Sequence, residues 1–182
     1  MKYFYILPFL IFLSCNSEKI LRENTGSDEE IILVIADDLW ESEVGNILRA
    51  IFSKELTGLP QSEKLFKLIQ INSSEFTRFF ETNKNIIFVA QNLGNTFGRD
   101  KWSKEQLIFY LSWNGDVKDF KKNCLIAKDE FYKNEINNIL ANYQSTHNVS
   151  ASKFIKSEFD LDIYIPTEYD IPKNSFALVI AM

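Results

Sequence analysis

The chain has one histidine and two cysteines in 182 residues. A single histidine builds no transition-metal site by itself. His-Glu-x-x-His, Cys-x-x-Cys and a Gly-x-Ser-x-Gly elbow are all missing. No Gly-Lys-Ser/Thr follows the glycines of Gly94-Asn95-Thr96-Phe97-Gly98, so this stretch is not a phosphate-binding loop. No cofactor motif is present, and no cofactor is expected. Positive charge is also short: 20 Lys and Arg stand against 25 Asp and Glu, a net charge of −5. That balance lacks the basic patch a phosphate backbone demands, which excludes nucleic acid as an expected partner. No apolar run reaches the roughly 20 residues of a membrane-spanning helix, and no repeat of roughly 20 to 50 residues marks a solenoid.

Apolar residues, by contrast, are plentiful: 46 % of the chain, with 16 Phe, 7 Tyr and 3 Trp. That is enough for a packed core and argues against disorder. The N-terminus carries the most informative pattern. Lys2 is a basic n-region, Tyr3 to Leu13 an apolar h-region, and Ser14 a small residue directly before Cys15. This is the layout of a bacterial lipoprotein signal peptide, in which the cysteine thiol is acylated (palmitate and related chains) and becomes the new N-terminus. The alternative is an ordinary secretory signal with an incidental cysteine, and Phe12 stands where an aliphatic residue is usual. Each buried CH₂ contributes about 0.8 kcal/mol, so two or three chains on Cys15 anchor stably where one binds reversibly. The expected organisation is a signal peptide over 1–14, a lipid-anchored flexible tether over 15–29, and one domain over 30–182. The expected location is the bacterial cell envelope, facing the periplasm or the outer surface.

From Glu30 onward, strand and helix signals alternate. Ile31 to Ala36 is a continuous apolar run that predicts a strand buried on both faces. Trp40, Val44, Ile47, Leu48, Ile51 and Phe52 fall at helical spacing and predict a helix over 39–54. Further strands are predicted over 65–71, 86–90, 106–113 and 161–165, with a short helix from Ser73 or Ser74 to Phe80. Gln91 to Ser103 reads as a polar loop, and the spacing of the flanking strands predicts antiparallel pairing between them. Asp116 is expected to cap a long helix to about Tyr143, followed by a short helix over 152–159. The apolar Ser175–Met182 end predicts a last strand, either the edge of the fold or the start of a portion missing from a truncated chain. The fold class is α+β or α/β, a mixed sheet covered by helices.

Few residues are candidates for chemistry. Asp37 and Asp38 follow a buried strand, where α/β folds place ligands. With Glu41 and Glu43 they form a set for Mg²⁺ or Ca²⁺, but Asp38-Leu39-Trp40-Glu41 also fits a helix capping box, which is the favoured reading. Gly94 to Trp102 is either a recognition loop or a connection whose Trp102 folds back on the sheet. Cys124 lies on the apolar side of its helix and reads as a buried thiol rather than a nucleophile paired with His147.

Several stretches together resemble a family. They are Ser14-Cys15, the strand leading to Asp37-Asp38-Leu39-Trp40, and Leu56-Thr57-Gly58-Leu59-Pro60-Gln61-Ser62-Glu63-Lys64-Leu65-Phe66. Asn85-Ile86-Ile87, Arg99-Asp100-Lys101-Trp102 with Gln106, and Ile163-Tyr164-Ile165-Pro166-Thr167-Glu168-Tyr169 complete the set. In their order and spacing they are similar to the Bacteroidota lipoproteins grouped as domain of unknown function 4837. The resemblance implies an envelope lipoprotein longer than this chain, and brings no activity, cofactor or catalytic residue.

The expected function is therefore a lipid-anchored envelope protein of unknown activity, a non-enzymatic binding or structural module. The membrane is its expected partner through Cys15, with an envelope protein or small ligand as a second. The expected recognition loops carry Gly58, Pro60 and Gln61 in one case and Arg99, Asp100 and Trp102 in the other. No catalytic or metal-ligating residue is assigned. The alternative is a carboxylate-dependent, metal-assisted hydrolase using Asp37, Asp38 and Asp100, which requires the three carboxylates to converge in a cleft.

Overall fold

The structure, a computed structural model, describes residues 20–169 apart from 28, 57 and 59. Residues 1–14, read above as a signal peptide, Cys15 and the apolar Ser175–Met182 end lie outside the described residues.

The apolar run after Glu29 forms β1 (Glu30–Val34), and β2 (Lys67–Ile71) and β3 (Asn85–Ala90) lie parallel to it on either side. β4 (Thr96–Arg99) and β5 (Leu107–Ser112) complete a five-stranded sheet in the order β2-β1-β3-β5-β4. The sheet is mixed and helix-covered, the architecture expected from the alternating signals.

One pairing differs from expectation. The strands at 85–90 and 107–112 run parallel, with Asn85 opposite Leu107 and Ala90 opposite Ser112. The reversal of direction is made by β4, which lies inside the stretch read as a loop and runs antiparallel to β5. β4 is a short edge strand, exposed along most of its length. It therefore carries no alternation of apolar and polar residues from which to predict it.

The helix expected over 39–54 is two helices, α1 (Asp37–Trp40) and α2 (Glu43–Phe52). The break centres on Ser42. Its hydroxyl donates to the Leu39 carbonyl at 2.7 Å and accepts from the Val44 amide at 3.2 Å, closing one helix and capping the next. The capping box at Asp38 and Glu41 does not form: both aspartates sit in the first turn of α1, whose N-cap is Ala36 with no side-chain bond. Gly45 permits the sharp joint, because a Cβ there would lie 1.8 Å from the Trp40 carbonyl oxygen.

α3 (Arg78–Glu81) is a single short turn of helix. α4 (Val117–Thr146) begins as expected at Asp116, whose carboxylate accepts from the Lys118 and Asp119 amides. It buries Phe120, Cys124, Ala127, Phe131 and Glu135 along one stripe. α5 (Val149–Phe159) is capped by Asn148. The strand expected over 161–165 is absent. Among the described residues that stretch has no neighbouring strand, and its backbone is held instead by the α4–α5 joint: the Asn148 amide donates to the Ile165 carbonyl, and the Ile165 amide to the Ser152 hydroxyl.

Two apolar layers flank the sheet. On one face α2 and α4 cover Ile31, Leu33, Ile35, Ile87, Leu107 and Leu111. On the other, Ile32, Val34, Ile86 and Ile108 meet Phe76, Phe80, Phe88, Trp102 and Tyr110. The segment before β1 also belongs to the folded unit. Arg22 and Thr25 form isolated bridges with Ser103 and Asn83, and Asn24 donates to the Lys104 carbonyl. The folded unit thus includes residues from Arg22 onward among the described residues.

Candidate functional site

Strand direction sorts the candidate residues. β1, β2, β3 and β5 are parallel, so the sheet has one edge where they end and an opposite edge where they begin. Asp37 and Asp38 stand where β1 ends; Asp100 follows β4, at the beginning of β5. The three carboxylates of the hydrolase alternative therefore lie at opposite edges and do not converge. Among the described residues no group of three or more His, Cys, Asp or Glu side chains could hold a metal ion. Asp37 instead accepts from the Gln70 amide at 2.9 Å, a tie between β1 and β2.

Cys124 is fully buried beneath the sheet, and burial pushes its thiol up to about 12. His147 caps the far end of the same helix, which at about 1.5 Å per residue puts it more than 30 Å away along the axis. The two form no nucleophile–base pair. Among the described residues the buried charges are Lys84 and Glu135, paired at 3.2 Å where α4 crosses the beginning of β3, with Asn85 beside them. Neither drew notice in the sequence, because a lysine next to a strand and a glutamate in a helix are ordinarily solvated.

Both expected recognition loops lie at the edge where strands begin. The loop over 54–64 links α2 to β2. Its stem is closed by bonds from the Leu56 amide to the Glu63 carbonyl and from the Leu65 amide to the Lys54 carbonyl. Gly58, Pro60 and Gln61 are exposed at its tip, and Gly58 takes a φ of +93° that favours glycine. The second loop is bound down more tightly. The Trp102 amide donates to Gln106 Oε1 at 3.0 Å, and Gln106 Nε2 donates to the Glu81 and Asn83 carbonyls. The Trp102 ring packs back on the sheet against Phe76 and Phe88, with the Lys101 ammonium 4.1 Å from its centre. Arg99 reaches α4, donating to Asn134 Oδ1 at 3.0 Å, while Asp100 is exposed with a φ of +51°.

Two open clefts lie on the surface of the described residues. Where β3 and β5 end, Gln91, Asn92, Trp113, Asn114 and Gly115 line an open cleft of about 390 Å³ with no charged side chain. The second cleft, about 370 Å³, runs between α2 and the edge strand β2 and is lined by Trp40, Arg49, Ser53, Lys64, Lys67 and Leu68. Arg49 holds its guanidinium carbon 4.1 Å from the centre of the Trp40 ring and donates through Nη2 to the Trp40 carbonyl and Asn46 Oδ1. Lys67 pairs with Glu30 at 2.7 Å. Arg49 and Lys64 have no acidic partner among the described residues. This grouping escaped sequence reading because it depends on the break at Ser42, which turns Trp40 toward Arg49.

Compared with protein-family models, residues 24–144 match a domain of unknown function (DUF8532). That is a different designation from the one the short motifs resemble. No curated protein and no solved structure matches the chain. The match starts two residues after Arg22, which already belongs to the folded unit.

Proposed function

The chain belongs to the DUF8532 family, and from that premise we propose that it is a lipid-anchored bacterial envelope protein, a binding or structural module rather than an enzyme. The observation that carries this reading is the N-terminal pattern: Lys2, the apolar Tyr3–Leu13 run, then Ser14-Cys15. The motif likeness to the Bacteroidota lipoproteins of domain of unknown function 4837 supports the same address. The separation of Asp37 and Asp38 from Asp100 leaves the hydrolase alternative without a site.

Acylation at Cys15 fixes how the domain sits. From Cys15 to Arg22 is seven residues (22 − 15), which fully extended reach about 23 Å. Arg22 lies beside Ser103, at the edge where strands begin. That edge is held near the lipid surface, and the edge bearing Asp37, Asn92 and Asn114 turns away from it. The contact loops are those carrying Gly58, Pro60 and Gln61 and carrying Arg99, Asp100 and Trp102. Loops on a rigid sheet commonly carry recognition.

Mass spectrometry of protein purified from a bacterial envelope tests the anchor. The expected species starts at Cys15 and carries two or three acyl chains, and Cys15→Ser moves the protein to the soluble fraction. An unmodified thiol at Cys15, or a mature start elsewhere, overturns the reading.

A further inference from the structure

We propose that the cleft between α2 and β2 binds a small organic oxyanion, a carboxylate or phosphate joined to an apolar body. This rests on the binding-module reading and names its ligand class. Three observations converge on it. The first is charge: in a chain of net charge −5, Arg49 and Lys64 bring two cationic side chains to the cleft and no acidic residue lines it, while the Lys67 ammonium turns to the opposite face of the sheet with Glu30. Glu30 already occupies Lys67, whereas the Lys64 ammonium has no partner among the described residues. Arg49 uses only Nη2 toward the protein, which leaves Nε and Nη1 without an acceptor among the described residues. Each of these nitrogens donates singly, because both two-pronged faces of the guanidinium include Nη2, which the Trp40 carbonyl and Asn46 Oδ1 already occupy; the second charged contact to an oxyanion therefore comes from Lys64.

The second observation is shape. A concavity of about 370 Å³ falls in the range of small-molecule sites rather than of flat protein contacts. The third is the apolar floor. Trp40 and Leu68 line the same cleft, and the Trp40 ring, already held by Arg49, offers a flat surface for an apolar or aromatic group. The site is also fixed in place: Gly45 brings α2 against the Trp40 carbonyl, and Arg49 bonds that same oxygen. The ligand's anionic group lies between Arg49 and Lys64, and its apolar body against Trp40.

Calorimetric titration of the full chain in an uncharged detergent tests this, with phenyl phosphate, benzoate, inorganic phosphate and benzylammonium as probes. The expected result is saturable one-site binding of phenyl phosphate or benzoate, with inorganic phosphate weaker by about tenfold or more and benzylammonium not bound. Lys64→Gln should weaken binding about three- to tenfold without changing the thermal midpoint, since the Lys64 side chain is exposed and makes no hydrogen bond or ion pair among the described residues. Arg49→Gln should abolish binding. The proposal is overturned if neither aromatic oxyanion saturates, if both variants bind as the parent does, or if the chain binds only vesicles of anionic lipid. Capture of an envelope partner through the Gln61 loop, with no oxyanion bound, would remove the cleft while leaving the binding-module reading standing.

Discussion

One face of the sheet packs aliphatic strand residues beneath two helices; the other packs aromatic rings beneath loops and a single turn of α3. On the first face Phe131 is fully buried and meets Phe52, Phe66 and Phe109 with ring centres 6.5, 6.2 and 5.1 Å away. On the second, Phe88 meets Phe76 at 5.0 Å and stacks on Tyr110 at 5.1 Å, yet remains half-buried. Covering a face with long amphipathic helices removes it from water almost completely. Rings bridged by loops do so in part, and they depend on side-chain hydrogen bonds to hold the loops down. The helical face therefore carries most of the stability. The looped face is where the chain can change sequence or conformation at lower cost.

The same substitution on each face breaks or confirms that comparison. Phe131→Ala opens a cavity among three rings and should destabilise by about 3–5 kcal/mol. Phe88→Ala removes a ring that water already reaches and should cost about half as much. Urea unfolding of the two variants measures both. Equal losses would mean that the looped face is as firmly sealed as the helical one.

The next largest effect concerns the tie that closes the looped face. Gln106 is buried and bonds the Glu81 and Asn83 carbonyls and the Trp102 amide. Gln106→Leu keeps the volume but leaves those groups without their partner, for an expected loss of about 1–3 kcal/mol. Trp102 should become more accessible to a neutral fluorescence quencher in this variant. Unchanged quenching would show that the rings alone hold the loop.

This asymmetry also explains how much could be read from the sequence. The helical face was legible because period fixes it: the buried run of β1, the capped start of α4 at Asp116, and the Phe120-Cys124-Ala127-Phe131 stripe all follow from spacing. The errors cluster where local bonding overrode period. Ser42 satisfies both a C-terminal carbonyl and an N-terminal amide and so splits one apparent helix into two. β4 is an exposed edge strand, and missing it reversed the predicted direction of β5 relative to β3. Leu161–Ile165 alternates like a strand but has no strand to pair with among the described residues. Of the candidate site, the loop residues Gly58, Pro60 and Gln61 were visible as turn chemistry. Arg49 and Trp40, nine positions apart, meet only because of the Ser42 break.

The smallest expected effect lies at the charged rim of the looped face. By alternation with Ile32 and Val34, Glu30 belongs to that face, and its register partner Lys67 sits opposite on β2. The hydrogen bond from Lys67 holds the Glu30 carboxyl below its ordinary value of 4.5. A depressed carboxyl stabilises the fold fully above the unfolded value and ceases to do so as pH falls through the folded one. The contribution of this pair should therefore fade below about pH 4.5. Lys67 is well exposed, so solvent screens the pair and the gain is small. Stability compared between the parent chain and Lys67→Gln should show a modest difference at pH 7 that closes as the pH is lowered past 4.5 and shrinks in high salt. A difference that persists at low pH would assign the role of Lys67 to the packing of its methylene stem on the sheet edge rather than to its charge.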